Sequence, residues 1–271
     1  MSTPFHPVDP ASLGITDPHV DIDTTVAHPA RVYDYVLGGK DNYPADREVG
    51  DKIITALPTI HDEAVGNREF LRRTVRHVVG EEGIDQILDI GTGIPTVGPT
   101  HQVADETDPS ARVVYVDNDP IVLAHARALL VDDNRTTIIQ ADVRDPDTIL
   151  AKAREHLDLS RPVALMFVGL WYFISDDDDI EGLLAQYRNA LAPGSAMIIT
   201  HALDTPGARA VQEQYKASAP LILRSEERIT EFFAGWDIIE PGIVPVHEWR
   251  PDGGETPAGH MAGGVGILPT A

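Results

Sequence analysis

Three acidic side chains stand where strand-like segments give way to loops: Asp89 in "ILDIGTG", Asp117 in "VVYVDND" and Asp142 in "QADVRD". Carboxylates there accept hydrogen bonds from hydroxyl and amino groups and attract positive charge, while they repel phosphate. Gly91 and Gly93 follow the first acid, so the chain can turn tightly and bring its backbone close to a ligand. A dinucleotide loop would need a third glycine at position 96, which is Thr96. Pro95, just before it, removes one N–H that would hold a pyrophosphate. Asp117 lies 24 residues past Gly93, close to where an acid meets ribose hydroxyls in nucleoside-binding folds. Asp142 and Val143 offer an acceptor for an adenine amino group beside an apolar surface for its ring.

A second glycine stretch, "RVYDYVLGGKDNYPADRE" over residues 31–48, has the look of a phosphate loop. That loop needs G-x-x-x-x-G-K-[ST]. Here Asp34 stands five residues before Gly39 and Asp41 follows Lys40, so acids occupy both decisive positions. The stretch serves another purpose.

The elements that must position these residues are legible in outline. Residues 1–28, rich in Pro, Asp, Thr and His without periodicity, are expected to be a tail that is disordered or wraps the surface. Residues 29–80 read as a helical N-terminal cap, with apolar residues at three- and four-residue spacing in "ADREVGDKIITAL" and "NREFLRRTVRHVV". Residues 81–271 read as a core of alternating strands and helices. Strands are expected at 84–91, 111–117, 136–142, 162–170 and in "SAMIITHA", with short candidates at "WDIIE" and "GGVGILP". Between them come helices at "TVGPTHQVADET", 119–131, 146–157, 177–191, 206–217 and "SEERITEFFAGW", the second with Asp119 as N-cap. Short links between strands and helices imply an α/β, Rossmann-like, mostly parallel seven-stranded sheet with helices on both faces. Ligands of such sheets bind beyond the C-terminal strand ends.

The composition narrows the partners. The chain has 271 residues and 43 acidic against 21 basic side chains, a formal charge of −22 that disfavours nucleic acid and anionic membrane. With no cysteine there is neither a disulfide framework nor a thiolate metal site. His247, Glu248 and His260 lack ligand spacing, so no metal is expected. "SDDDD" (175–179) reads as a helix cap with a solvated first turn, and Arg68, Arg72 and Arg76 as a solvated helix face. No signal peptide is visible, the longest apolar run is too short to span a bilayer, and the chain reads as cytoplasmic.

A nucleoside, a cationic centre and no diphosphate together describe S-adenosyl-L-methionine. The ordered set "LDIGTG", "VVYVDND" and "ADVRD" resembles the class I SAM-dependent methyltransferases. With "ARVYDYVLGGKDNYPADRE", "IGTGIPT", "THQVA" and "VYVDNDPIVLAHARALL", the chain from Pro29 onward looks more narrowly like the S-adenosyl methyltransferase family, formerly a domain of unknown function. The resemblance implies that Gly91, Thr92 and Gly93 line the methionine end of the cofactor and Asp117 holds the ribose. It places Asn118 beside the adenine, with Asp142 and Val143 at its edge and Gly169 at the tip of strand four. It also gives the second glycine stretch a use as a cover over the sulfonium, formed by Tyr33, Gly38, Gly39, Asp41, Asn42 and Tyr43. His101, Tyr172 and His201 are candidate bases, needed only if the acceptor must lose a proton. Trp171, Tyr172 and Phe173 are expected to shape an apolar pocket for a small-molecule methyl acceptor. The competing readings are an NAD(P)-dependent oxidoreductase and a non-catalytic SAM-binding protein.

Overall fold

The computed structural model describes residues 23–95, 98–123, 135–253 and 259–270. Its strands are β1 (Gln86–Ile90), β2 (Arg112–Asp117), β3 (Thr136–Gln140), β4 (Ala164–Val168), β5 (Ala196–Ala202), β6 (Asp237–Ile238), β7 (Val244–Pro245) and β8 (Met261–Ile267). They form one sheet in the order β3-β2-β1-β4-β5-β8-β6. The first five are parallel, whereas β8 runs antiparallel to β5 and β6. These seven are the expected strands. An eighth, β7, pairs with β8 beside that path; its two residues are too few to show alternation in sequence. The order reverses direction between β1 and β4, which opens a crevice at their C-terminal ends.

The parallel strands are apolar on both faces because helices cover both. Leu88, Val114, Leu165 and Phe167 face one side, packed with Ile149 and Leu150 of α5 (Pro146–Ala153) and Leu183 and Tyr187 of α6 (Ile180–Asn189). Their sequence neighbours Ile87, Val113, Tyr115 and Met166 face the other, packed with Phe70, Leu71 and Val75 of α3 (Ile60–Gly80) and Val103 of α4 (Thr100–Thr107).

The segment 29–80 divides by what it packs against. α3 lies on the sheet itself. α1 (Pro29–Val36) and α2 (Pro44–Ala56) pack instead on α7 (Pro206–Gln214), through Val32, Val49 and Ile53 against Val211 and Tyr215. Ahead of α1, Ala27 is buried and its carbonyl accepts the Ser218 N–H at 2.8 Å. The rest of the expected tail, residues 1–22, lies outside the described residues. So do Thr96 and most of the helix expected over 119–131. Its first residues, 120–123, are helical, and the Asp119 carboxylate accepts the Ile121 N–H at 2.9 Å.

The acids 175–179 do form a cap. Ser175 accepts the Asp177 N–H and Asp179 that of Gly182, at the start of α6. Asp176 also pairs with Arg224 at 3.0 Å and Arg228 at 3.2 Å; Arg228 begins its contacts from α8 (Glu226–Glu231). Among the described residues no helix is long and apolar enough to cross a membrane.

Candidate donor site and an adjoining apolar cavity

A cavity of about 370 Å³ opens at the crevice between β1 and β4. Asp89, Gly91, Thr92 and Gly93 reach it from the end of β1, Asp117 and Asn118 from β2, Asp142 and Val143 from β3, and Gly169 and Tyr172 from beyond β4. Gly91 has a φ of +74°, and a Cβ there would stand 2.7 Å from Leu170 Cδ1. Gly169 has a φ of +75°, and its Cβ would stand 2.9 Å from the Tyr172 hydroxyl. Both positions exclude a side chain by conformation and by space.

The three acids differ in environment. Asp117 accepts the N–H of Gly93 and of Asp119, each at 2.9 Å. Its burial pushes the carboxyl upward, against the pull of those two N–H groups. Asp89 accepts the Thr100 hydroxyl at 2.6 Å, and burial raises it to about 6. Asp142 is the accessible one. Arg144 grips it through two side-chain N–H groups at 2.9 and 2.7 Å and holds it below the ordinary range. An adenine amino group would have to share Asp142 with that arginine.

Asn67, which the sequence did not single out, also lines the cavity, as does Arg68, which was expected on a solvated face. Arg72 and Arg76 behave as a solvated face, pairing with Glu69, Asp252 and Glu106. Arg68 does not. Its guanidinium lies 5.5 Å from the centre of the Tyr33 ring, and its buried Nε has no hydrogen-bond partner. The buried Oδ1 of Asn67 is equally unpartnered. The signal was present in the helix geometry: a row spaced by four drifts about 40° per step, so Arg68 sits about 80° around α3 from Arg76. His28, also missed, lines the cavity and pairs with Asp119 at 2.9 Å.

The expected cover needs correction. Tyr33 lines the cavity, with its hydroxyl donating to the Ala64 carbonyl at 3.1 Å. Gly38, Gly39, Asp41, Asn42 and Tyr43 do not line it. The physical reason is Asp34, a buried carboxylate whose Oδ2 accepts the Asp41 N–H and the Asn42 Nδ2–H, both at 2.9 Å. A Cβ on Gly39 would fall 2.0 Å from Asp34 Oδ1, so this glycine makes room for the protein's own acid. Gly38 is exposed, with a φ of +80°. Tyr43 caps α2 and packs with Ile94, Ile121 and Val122 under the Arg31 guanidinium.

Two of the three candidate bases also stand apart from the cavity. The His101 ring pairs with the Tyr115 hydroxyl at 2.9 Å. His201 is fully buried, and its Nε2 lies 2.8 Å from Arg224, which can only donate. Nδ1 must therefore carry the hydrogen donated to Ala202, and burial pushes the ring down to about 4. Tyr172 alone lines the cavity. Burial raises its hydroxyl, so it stays protonated at neutral pH and can position a group but not deprotonate one. Arg224 fixes the segment that carries it, donating to the carbonyls of Trp171 and Ile174 at 2.9 Å. Trp171 itself is core, its ring 5.0 Å from that of Phe167.

A second, apolar cavity of about 110 Å³ adjoins the first. Pro29, Tyr33, Tyr172 and Phe173 line both. Val32, Ile53, Val211, Leu221 and Leu223 make up much of the remainder, with Glu63, His260 and Tyr215 as its polar members.

Sheet order, the antiparallel β8 and an acid-lined crevice at the parallel strand tips define a Rossmann-like class I methyltransferase fold. The human N-acetylserotonin methyltransferase, in complex with SAM, shares that fold at a TM-score of 0.51 and 12% identity over 88% of this chain and 62% of its own. Residues 16–269 match the model of a family described as S-adenosyl methyltransferase, and the chain belongs to that family. It is similar to a candidate methyltransferase from Thermobifida fusca, at 40% identity and TM-score 0.88 over 94% of this chain and all of that one. It is likewise similar to a DUF574 family protein from Streptomyces avermitilis, at 41% identity and TM-score 0.87 over 92% of this chain and all of that one. No curated protein matched. The enzyme is thus a SAM-dependent methyltransferase by family, with S-adenosyl-L-methionine as its cofactor.

Proposed function

We propose that the enzyme methylates a small-molecule acceptor, with the larger cavity as its donor site. One observation carries this reading: acids and unpartnered polar atoms matched to a zwitterionic sulfonium nucleoside converge at the strand tips. Arg68 Nε is a buried donor suited to the methionine carboxylate, and Asn67 Oδ1 is a buried acceptor suited, with Asp89, to its ammonium group. Asp117 would hold the ribose hydroxyls, and Asn118, Asp142 and Val143 the adenine. Held there by these residues, the cofactor would supply an electrophilic methyl group to an acceptor lone pair. The protein's part is to hold both reactants and exclude solvent. The −22 charge supports a small acceptor over a nucleic acid.

Calorimetry with S-adenosylhomocysteine tests the assignment. Replacing Asp117 with alanine is expected to weaken binding on the order of 100-fold, since two charge-assisted contacts to hydroxyls disappear. NADH is expected not to bind the wild-type protein. An unchanged dissociation constant in the variant, with wild-type folding by circular dichroism, would falsify the assignment.

A further inference from the structure

We propose that the apolar cavity is the acceptor subsite, and that it takes a small neutral ring compound bearing one hydrogen-bonding group and no negative charge. This rests on the methyltransferase reading above. Four residues, Pro29, Tyr33, Tyr172 and Phe173, line both cavities, so a molecule held in the apolar one borders the donor site, with three aromatic rings shared between them. Size sets the first limit. The cavity of about 110 Å³ is smaller than the apolar cavity of about 150 Å³ that accepts benzene, so its size admits nothing larger than a single ring.

The polar members set the second limit. Tyr215 is buried, and its hydroxyl has no hydrogen-bond partner. An unpaired buried hydroxyl destabilises the empty cavity, and a ligand hydroxyl or ring nitrogen relieves that cost. Its ring is held by stacking on Phe173, 5.9 Å between centres. Glu63 is buried, and its two carboxylate oxygens accept the His260 backbone N–H at 3.0 Å and the Thr59 hydroxyl at 3.3 Å. Among the described residues the one basic lining group is His260, which faces that same carboxylate at 3.8 Å and pairs with Thr205 at 2.9 Å. A carboxylate or phosphate ligand would enter apolar surroundings beside Glu63 and, among the described residues, meet no other lining cation, so it is disfavoured.

The test uses the full chain saturated with S-adenosylhomocysteine, titrated with phenol, toluene and benzoate and followed by calorimetry. Phenol is expected to bind tightest, toluene more weakly, and benzoate at least tenfold more weakly than phenol. Tyr215→Phe, which removes a single oxygen, should bring phenol down to the level of toluene. Leu223→Trp should fill the cavity and abolish binding of both rings without changing S-adenosylhomocysteine affinity. Benzoate binding as well as phenol, phenol surviving both substitutions, or no ring bound at all would overturn the proposal. Should S-adenosylhomocysteine itself fail to bind the wild type, the donor-site reading falls instead.

Discussion

Two glycine turns, "IGTGIPT" and "LGGKDNY", look alike in sequence and do opposite things. In the first, Gly91 and Gly93 bend the chain around open space, and the Asp117 carboxylate ties the loop from the next strand. In the second, the space beside Gly39 is already full: Asp34 occupies it and takes the N–H groups a ligand might have taken. A glycine therefore signals only that something comes close to the backbone. What comes close is decided by whether one of the chain's own carboxylates already fills the space beside the glycine, as Asp34 does at Gly39 and Asp89 does not at Gly91.

The largest effects should separate the two turns. Gly39→Ala drives a methyl group into the buried Asp34 and is expected to cost about 3 kcal/mol, lowering Tm by roughly 6–12 °C, while leaving S-adenosylhomocysteine affinity within about twofold. Gly91→Ala should weaken that affinity at least tenfold, because its Cβ meets Leu170 at the cavity and its φ is unfavourable for alanine. If both variants lost binding equally in calorimetry, the two turns would not have separate roles.

Next in size is a contrast along α3. Arg68→Met removes a buried donor at the cavity and is expected to weaken S-adenosylhomocysteine about 10- to 100-fold, the worth of a charge-assisted hydrogen bond. Arg72→Met, one turn on, removes only surface pairs and should change affinity less than twofold. Equal losses would return Arg68 to the solvated face.

The donor site also predicts a pH dependence. Folding raises Asp89 to about 6 from 3.8, mainly by burial. The sign follows: this group's contribution to apoprotein stability is fully present below 3.8 and is lost as pH rises through about 6. Ligand binding runs the other way, because an ammonium needs the ionised carboxylate. Affinity should be flat above about pH 7 and fall toward tenfold per unit below about 6. Thr100→Val removes the hydrogen bond that favours ionisation and should move the inflection upward. A calorimetric profile that is level from pH 8 to 5 would remove Asp89 from the site.

How much of this was legible depended on range. The strand-end acids could be found because β1, β2 and β3 are parallel and in register, so ends of successive apolar runs must converge. The sheet and most helices followed from the same periodicity. Asn67 and Arg68 stayed hidden because the nearer of them, Arg68, lies 21 residues before Asp89, and no local pattern says which helix face meets the strand tips. His101 and His201 misled in the opposite way. Both sit beside the right elements, but Tyr115 and Arg224, distant in sequence, already engage their rings. Asn42 and Tyr43 stand away from the cavity because Asp34 and Asp46 accept from them, and the sequence does not show which of several nearby acids will organise the turn.

The smallest expected effect returns to the comparison. Lys40 follows two glycines as the lysine of a phosphate loop would, and such a lysine reaches its phosphates across a ring of backbone N–H groups. Here the Asp34 carboxylate takes the Asp41 N–H and the Asn42 side-chain N–H, and Lys40 is exposed. An exposed ammonium with nothing to reach contributes little to fold or ligand. Lys40→Ala should shift Tm by no more than about 2 °C and leave S-adenosylhomocysteine affinity within twofold. Pyrophosphate should give no thermal shift with either protein, since the acid already fills the position its oxygens would need. A pyrophosphate shift that vanished in Lys40→Ala would mean that Asp34 can be displaced and that the two turns are closer in kind than their geometry makes them.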